Sequence, residues 1–238
     1  MYDFEGKIIV VTGAAGNLGQ AVVKGFLQSN GTVCGLDHRS GRLEQFKSLK
    51  EGAASFYAFD EVDLTDKENM LSLAERIKSE VGVVNMLVNT VGGFSMGEPV
   101  YGISEETWQR MMRMNVTSLL NAAAAFVPTM IETGGGKVIT IGAKAGLLGM
   151  VNAGAYSAAK AALLRLTESM AGELKQKNIQ VNSVVPGIID TPQNRKDMPN
   201  ADFEKWVSPE QVTDVILFLA SSSADSISGA AIPVYGRL

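Results

Sequence analysis

The chain has 238 residues, of which 46% are hydrophobic and 19% charged, and its formal net charge at pH 7 is -4. This composition is too apolar for a disordered chain, and the length suits one domain spanning residues 1–238. The acidic balance argues against nucleic acid or an anionic membrane as a partner. No apolar stretch predicts a membrane span, and the acidic first residues are unlike a signal peptide.

The chain contains one cysteine, Cys34, and one histidine, His38. A single cysteine cannot form an internal disulfide, and a lone histidine excludes a multi-histidine metal site, so we expect no metal. The lone histidine also excludes most catalysis by serine–histidine or cysteine–histidine pairs. We therefore expect a soluble, cytoplasmic protein.

Apolar runs of strand length alternate with longer amphipathic stretches. The runs are nearly continuous in apolar residues, which is typical of strands covered on both faces. They lie at 7–11, 32–36, 55–59, 86–88, 137–141, 179–185 and 231–234. The helical stretches include 20–29, 67–81, 105–131 and 155–177. This alternation predicts an α/β fold with a Rossmann-type, doubly wound parallel sheet of about seven strands and helices on both faces.

Residues 191–208 show neither the strand period nor the helix period. Three prolines lie in this segment or at its edge: Pro192, Pro199 and Pro209. Because the segment follows the sixth predicted strand, where a ligand-covering loop would lie, we predict that it covers the substrate.

A glycine-rich turn follows the first predicted strand. Gly13, Gly16 and Gly19 permit a tight turn whose N–H groups approach a pyrophosphate at a helix N-terminus. Asp37 follows the second strand, 18 residues past Gly19. A carboxylate there binds ribose hydroxyls and repels a 2′-phosphate, which favours NAD over NADP. Two alternatives remain: Asp37 could be a surface turn residue, and Arg39 could turn toward a 2′-phosphate.

Two further segments follow strands at the expected ligand crevice. Asp63 comes after the third strand, where the adenine would lie, although it or Asp66 could simply cap the next helix. Residues 89–93 follow the fourth strand at the topological switch point. The alternative for this second segment is a plain glycine-rich turn.

Tyr156 and Lys160 form the sharpest chemical pair in the sequence. A spacing of four places the phenol and the ammonium on one helix face. A nearby cation favours tyrosinate, so we expect Lys160 to lower the pKa of Tyr156 and the phenol to act as acid or base.

Together these motifs resemble the short-chain dehydrogenase/reductase family over nearly the whole chain. The resemblance implies that Tyr156 moves the proton, that Lys160 holds the nicotinamide ribose, and that Asn115 supports a proton-relay water. It also implies that the Ile189 backbone and Thr191 anchor the nicotinamide carboxamide, and that two long helices build a homodimer or homotetramer. The cofactor-binding residues it implies are Gly13, Gly16, Asn17, Leu18, Gly19, Asp37, Asp63, Leu64, Asn89, Gly92, Tyr156, Lys160, Pro186, Gly187, Ile189 and Thr191.

Two positions depart from the family pattern. Asn17 stands where the family usually has a glycine. Ala143 lies 13 residues before Tyr156, at the position of the family's catalytic serine. A methyl group cannot hydrogen-bond a substrate carbonyl oxygen, so this second departure bears directly on the reaction.

Both departures recur in the dihydropteridine reductase branch, which the chain partly resembles at 92–94, 142–145 and 190–206. We predict that the residues contacting the substrate are Ala143, Phe94, Phe203 and Trp206. Phe203 and Trp206 could equally be simple hydrophobic anchors.

The sequence therefore favours an NAD(P)(H)-dependent oxidoreductase, with NAD as cofactor and a small carbonyl, hydroxyl or quinonoid substrate such as a dihydropterin. The alternative is a dinucleotide-binding protein with little catalysis, in which Ala143 marks a lost site. The presence of Asn115, Tyr156 and Lys160 argues against that alternative.

Overall fold

In the computed structural model, which describes residues 2–46 and 54–237, the strands form one parallel sheet. The strands are β1 (Ile8–Thr12), β2 (Thr32–Leu36), β3 (Ser55–Phe59), β4 (Met86–Asn89), β5 (Gly136–Ile141), β6 (Ile179–Pro186) and β7 (Ala231–Val234). Their order is β3-β2-β1-β4-β5-β6-β7. In this register Val10 of β1 pairs with Cys34 on one side and Leu87 on the other. The order reverses between β1 and β4, which places a crevice at their carboxyl ends.

Helices cover both faces of the sheet. They are α1 (Asn17–Gln28), α2 (Lys67–Glu80), α3 (Glu105–Met112), α4 (Ser118–Glu132), α5 (Gly154–Leu174), α6 (Pro192–Asp197) and α7 (Pro209–Ala220). Ile9 and Val11 point into the core shared with α1 and α7, whereas Val10 points into the core shared with α2, α4 and α5. This alternation along β1 buries both faces, and the predicted fold class is confirmed.

Residues 191–208 are more ordered than the missing period suggests. The short helix α6 and a single 3-10 turn at Phe203–Lys205 lie inside the segment. Neither element is long enough to show a period in the sequence. The segment ends at Ser208, whose hydroxyl accepts from the Gln211 N–H at 3.1 Å while Gln211 Oε1 accepts from the Ser208 N–H at 2.9 Å. This reciprocal cap starts α7.

The predicted helix at 105–131 is interrupted. One π-type turn, Arg113–Thr117, separates α3 from α4. At its centre the Asn115 amide donates to the Met111 carbonyl at 2.9 Å and to the Gly93 carbonyl at 3.1 Å. A side chain that bonds back into the helical ladder, and at the same time reaches a neighbouring loop, accounts for the widened turn.

Taken together, α3, the π-type turn and α4 form one helical run among the described residues that is long and apolar enough to span a membrane, which the sequence does not predict. It runs over 28 residues, Glu105–Glu132, and 61% of its most apolar window is buried inside the protein. Because α4 packs against α2 and the sheet, this is a core helix by its contacts.

Candidate functional site

The glycine-rich turn closes tightly over the start of α1. Gly13 has a φ of +63°, and a Cβ at Gly19 would lie 2.1 Å from the Gly13 carbonyl oxygen. Gly16 caps α1 without a side-chain hydrogen bond, and the first turn of the helix contains no acidic residue. Asn17 is exposed and Leu18 is buried. Glycine is therefore present at Gly13 and Gly19, where the backbone conformation or a close contact requires it. The exposed position of Asn17 accommodates a side chain.

Asp37 is buried, with 5% of its surface exposed, so it is not a surface turn residue. Its carboxylate accepts from the Ala15 N–H and from the Arg39 N–H, both at 3.2 Å. These bonds join the end of β2 to the glycine-rich turn. The Arg39 side chain is directed to the ring of the neighbouring His38, with Nε donating to Nε2 at 3.0 Å.

Arg42 reaches the same turn from the other side. Its guanidinium donates to the Ala15 carbonyl at 3.0 Å. Sequence reasoning missed this residue, because no periodic pattern or motif spacing marks it.

Asn89 lies at the end of β4 and is fully buried. Its Oδ1 accepts from the Thr12 hydroxyl at 3.0 Å, whereas its Nδ2 has no hydrogen-bond partner. Buried donors without a partner are rare in folded proteins. The strand end that Asn89 contacts leads into the glycine-rich turn, where the N-terminus of α1 has no side-chain cap and Asp37 is buried. An open donor at this edge of the sheet fits a polar, phosphate-bearing ligand such as a dinucleotide.

Of the two acids that could cap the helix after β3, Asp66 does so and Asp63 does not. Asp66 caps α2 by accepting from the Asn69 N–H at 3.0 Å. Asp63 is exposed and accepts from the Thr65 N–H at 2.8 Å and hydroxyl at 2.7 Å, bonds that lower the pKa of its carboxyl group. Leu64 beside it is buried.

Gly92, Asn115 and Lys160 converge at one point of the crevice. A Cβ at Gly92 would lie 2.9 Å from Asn115 Oδ1 and 3.1 Å from Lys160 Nζ. The Asn115 Oδ1 also accepts from the Gly93 N–H at 3.2 Å. The absence of a side chain at Gly92 is what lets the amide and the ammonium approach the loop after β4.

Lys160 is buried on α5, and its Nζ donates to the Ile141 carbonyl at the end of β5, at 2.8 Å. Burial lowers the pKa of Lys160 to about 8 and raises the pKa of Tyr156 to about 12. The direction for Tyr156 is opposite to the one that its spacing from Lys160 predicts. Desolvation of the phenol is the cause, because burial penalises the tyrosinate.

The position of the missing serine lies at the end of β5. Ala143 is 9% exposed there and offers no hydrogen bond through its side chain. Lys144, the next residue, directs its Nζ over the Tyr235 ring, 5.4 Å from the ring centre. Phe94 meets Tyr156 edge-on, with ring centres 5.0 Å apart at an angle of 82°, and 59% of its surface is exposed.

The end of β6 and the residues after it carry the last group of predicted cofactor-binding residues. Pro186 is buried, and a Cβ at Gly187 would lie 3.0 Å from the Tyr235 carbonyl. The Thr191 hydroxyl caps α6 by accepting from the Asn194 N–H at 3.1 Å. The Ile189 carbonyl accepts from the Asn194 side chain at 2.7 Å. Asn194 thus bonds to both residues that the resemblance assigns to the carboxamide, while the Thr191 hydroxyl keeps its proton to donate.

Phe203 and Trp206 lie together in segment 191–208. Their ring centres are 4.8 Å apart, and the Arg195 guanidinium lies 4.7 Å from the centre of the Phe203 ring. Arg195 also holds Asp190 through two hydrogen bonds of 2.6 and 2.7 Å. Trp206 is only 6% exposed, so its placement fits the hydrophobic anchor of the two alternatives.

Comparison with known proteins identifies the family. The family described as short chain dehydrogenase matches residues 7–202. A 3-oxoacyl-(acyl-carrier-protein) reductase of Thermotoga maritima is 30% identical over 243 residues, which cover 98% of each chain. A 3alpha-hydroxysteroid dehydrogenase of Mediterraneibacter gnavus is 31% identical over 247 residues, covering 97% of this chain and 96% of the relative.

A solved short-chain type dehydrogenase/reductase from Mycobacterium ulcerans has the same fold. The TM-score is 0.92 at 22% identity, over 99% of this chain and 90% of that one. The family match extends from β1 into the segment after β6 and so includes the glycine-rich turn and the Tyr156–Lys160 pair. The chain therefore belongs to the short-chain dehydrogenase/reductase family and is an NAD(P)-dependent oxidoreductase.

Proposed function

We propose that the protein uses NAD(H) to reduce a small carbonyl or quinonoid compound, or to oxidise the corresponding hydroxyl compound. The observation that carries this proposal is the cluster at the crevice. Asn115 and the Lys160 ammonium meet at Gly92, and Lys160 lies four residues after Tyr156 on α5. The same cluster disfavours a weakly catalytic binder, since a decayed site need not retain these groups.

The binding residues suit a dinucleotide. The N-terminus of α1 would hold the pyrophosphate, and Asp37 would accept from the adenosine ribose hydroxyls. A 2′-phosphate at that ribose would approach the buried Asp37 carboxylate, and Arg39 is turned toward His38. These features support NAD as the cofactor.

Nicotinamide, when bound, would supply the hydride donor or acceptor. Tyr156 moves the proton at the substrate oxygen. Since burial raises the pKa of Tyr156 to about 12, the phenol is protonated at neutral pH and is set up to donate. Lys160 is a cation below about pH 8 and would hold the nicotinamide ribose. Asn115, fixed by its bonds to Gly93 and Met111, would support the proton-relay water.

Ala143 favours substrates that depend little on a single hydrogen-bond donor. In a plain ketone the developing charge stays on one oxygen, and the missing serine hydroxyl would be costly there. A quinonoid ring spreads that charge over several atoms. Conjugated acceptors, for which a quinonoid dihydropterin is one example, are therefore the proposed class.

We further propose a homodimer or homotetramer in the cytoplasm. The exposed apolar side chains on α3 and at its junction with α4 support an interface between long helices, since Trp108, Met114 and Leu120 are 37%, 37% and 45% exposed. Sedimentation velocity of the purified protein tests this assembly.

The decisive experiment is turnover of NADH and NADPH against a panel of ketones and quinones, beside Tyr156→Phe. Removing the phenol should leave cofactor binding intact and lower turnover by about 10²–10⁴. Binding of NADH without turnover of any acceptor would favour the weakly catalytic alternative. Near-full activity of Tyr156→Phe would show that the proton comes from another group.

A further inference from the structure

An apolar rim borders the catalytic tyrosine. Its members lie on the loops after β4 and β5 and are between 39% and 79% exposed: Phe94, Met96, Leu147, Leu148, Met150 and Val151. Large apolar side chains exposed in one contiguous group mark a binding surface more often than those scattered singly.

The two loops are joined to each other. The Gly97 N–H donates to the Asn152 carbonyl at 2.7 Å, and Glu98 and Ala153 form a parallel bridge. These bonds place the chain that carries Phe94 and Met96 beside the chain that carries Leu148 and its neighbours. The rim is therefore one surface.

The rim is also fixed relative to Tyr156. The Met150 N–H donates to the hydroxyl of Ser157, the residue after Tyr156, at 3.1 Å. Phe94 packs its ring against the tyrosine ring at 5.0 Å. A molecule that reaches the Tyr156 hydroxyl from the side of Phe94 must pass over this surface.

The charged side chains nearest the rim in sequence are turned to other partners. Glu98 accepts from the Ser104 hydroxyl at 2.9 Å. The Lys144 Nζ lies over the Tyr235 ring, 5.4 Å from its centre. The Arg110 guanidinium also reaches the chain between Phe94 and Met96, with Nη2 donating to the Ser95 hydroxyl at 3.2 Å, and its charge acts on the Glu98 carboxylate. A substrate carboxylate or phosphate placed on the rim would lose water and meet only this cation, whose charge Glu98 already offsets.

We infer that the rim binds the uncharged hydrocarbon body of the substrate, so that the substrate is an alicyclic, aromatic or chain compound with no charge on that side. This inference rests on the proposed function, because the rim is assigned to the substrate through Tyr156. The inference predicts that each substrate CH₂ group buried on the rim raises the affinity of the protein for that substrate by about fourfold.

The probes are cyclohexanones that share one reacting carbonyl. Binding to the protein–NADH complex is measured by the change in NADH fluorescence for cyclohexanone and its 4-methyl, 4-ethyl and 4-propyl derivatives, and for 4-oxocyclohexanecarboxylate. The kcat/KM values are measured in parallel. We expect affinity to rise by about threefold to fivefold per added carbon, and the carboxylate to bind more weakly than the 4-ethyl compound.

Three variants locate the effect. Leu148→Ser should reduce the gain in affinity per added carbon. Leu148→Lys should make the carboxylate bind more tightly than the 4-ethyl compound. Tyr57→Ser is the matched control, because Tyr57 is 39% exposed on β3 at the far edge of the sheet and should leave the rise unchanged.

The outcomes separate the two proposals. If NADH binds and affinity rises per carbon but no ketone or quinone is reduced, the proposed function fails while the rim is still an apolar binding surface. If acceptors are reduced but affinity is flat along the series, or the carboxylate binds best, the inference about the rim is overturned. A change of oligomeric state in Leu148→Lys with an unchanged rise per carbon would also overturn it, since the rim would then be a contact between two copies.

Discussion

Gly92 lies directly beneath the side chain of Asn115. A Cβ built on Gly92 would come within 2.9 Å of Asn115 Oδ1, closer than real side-chain carbons approach a heavy atom, and within 3.1 Å of Lys160 Nζ. The loop after β4 and the π-type turn Arg113–Thr117 are thus fitted to each other at a distance that only glycine permits.

Gly92→Ala should therefore displace Asn115 and Lys160 and lower kcat by about a hundredfold, because misplacement by about 1 Å is enough for such a loss. The melting temperature should change little. Gly172→Ala is the matched control, since it lies on α5 with nothing within 4 Å of the added Cβ. Equal kcat values for the two variants would mean that the fit at Gly92 has no part in catalysis.

The pH dependence should follow Lys160. Its pKa is lowered to about 8 and that of Tyr156 raised to about 12, so the charged ammonium is lost well before the phenol ionises. The kcat/KM for NADH, which reports ionisations of the free enzyme, should be constant below about pH 7.5 and fall about tenfold per unit above pH 8.

Lys160→Arg tests the assignment, because a guanidinium remains charged throughout this range. Whatever the absolute activity of this variant, its kcat/KM for NADH should not fall near pH 8. A profile of the unmodified protein that is still flat at about pH 9.5 would contradict a role for the Lys160 charge.

Asp37 should set the choice of cofactor. Like charges about 4 Å apart repel by about 1 kcal/mol even in water, so NADPH should bind at least about fivefold more weakly than NADH. Asp37→Asn keeps an oxygen for the Ala15 N–H and should narrow the gap in dissociation constants measured by fluorescence titration.

Asp214→Asn, an exposed carboxylate on α7, should leave the ratio of the two dissociation constants unchanged. Tighter binding of NADPH by the unmodified protein would instead point to Arg39 or Arg42 as partners of a 2′-phosphate.

Ala143→Ser should raise the reduction of plain ketones while changing that of quinones much less. One restored donor is worth at most about 10²–10³ in rate. The measurement is the ratio of the two kcat/KM values at fixed NADH, with Ala145→Ser in the same turn as control. Fast ketone reduction by the unmodified protein, with no gain from serine, would require another donor, and Lys144 would be examined first.

Part of this architecture can be predicted from local sequence patterns. Continuous apolar runs mark strands buried on both faces, and the predicted strands agree with β1–β7 to within one or two residues. The glycine spacing and the interval of four between Tyr156 and Lys160 likewise depend only on near neighbours in the chain. Such features are readable because a strand or helix repeats its geometry every few residues.

Other features arise from contacts between distant segments. The π-type turn at Arg113–Thr117 forms because Asn115 reaches Gly93, 22 residues away. Arg42 meets Ala15 only when β2 lies beside β1. No local period can signal such pairs.

The electrostatics of the site also belong to the tertiary structure. Spacing alone predicts that Lys160 lowers the pKa of Tyr156, whereas burial of the phenol raises it to about 12. Sequence by itself thus determined the fold class and predicted which residues carry chemistry. Tertiary packing decided their protonation, the exposure of the apolar rim beside Tyr156 and the fit at Gly92, because desolvation and close approach depend on atoms that the chain brings together only when folded.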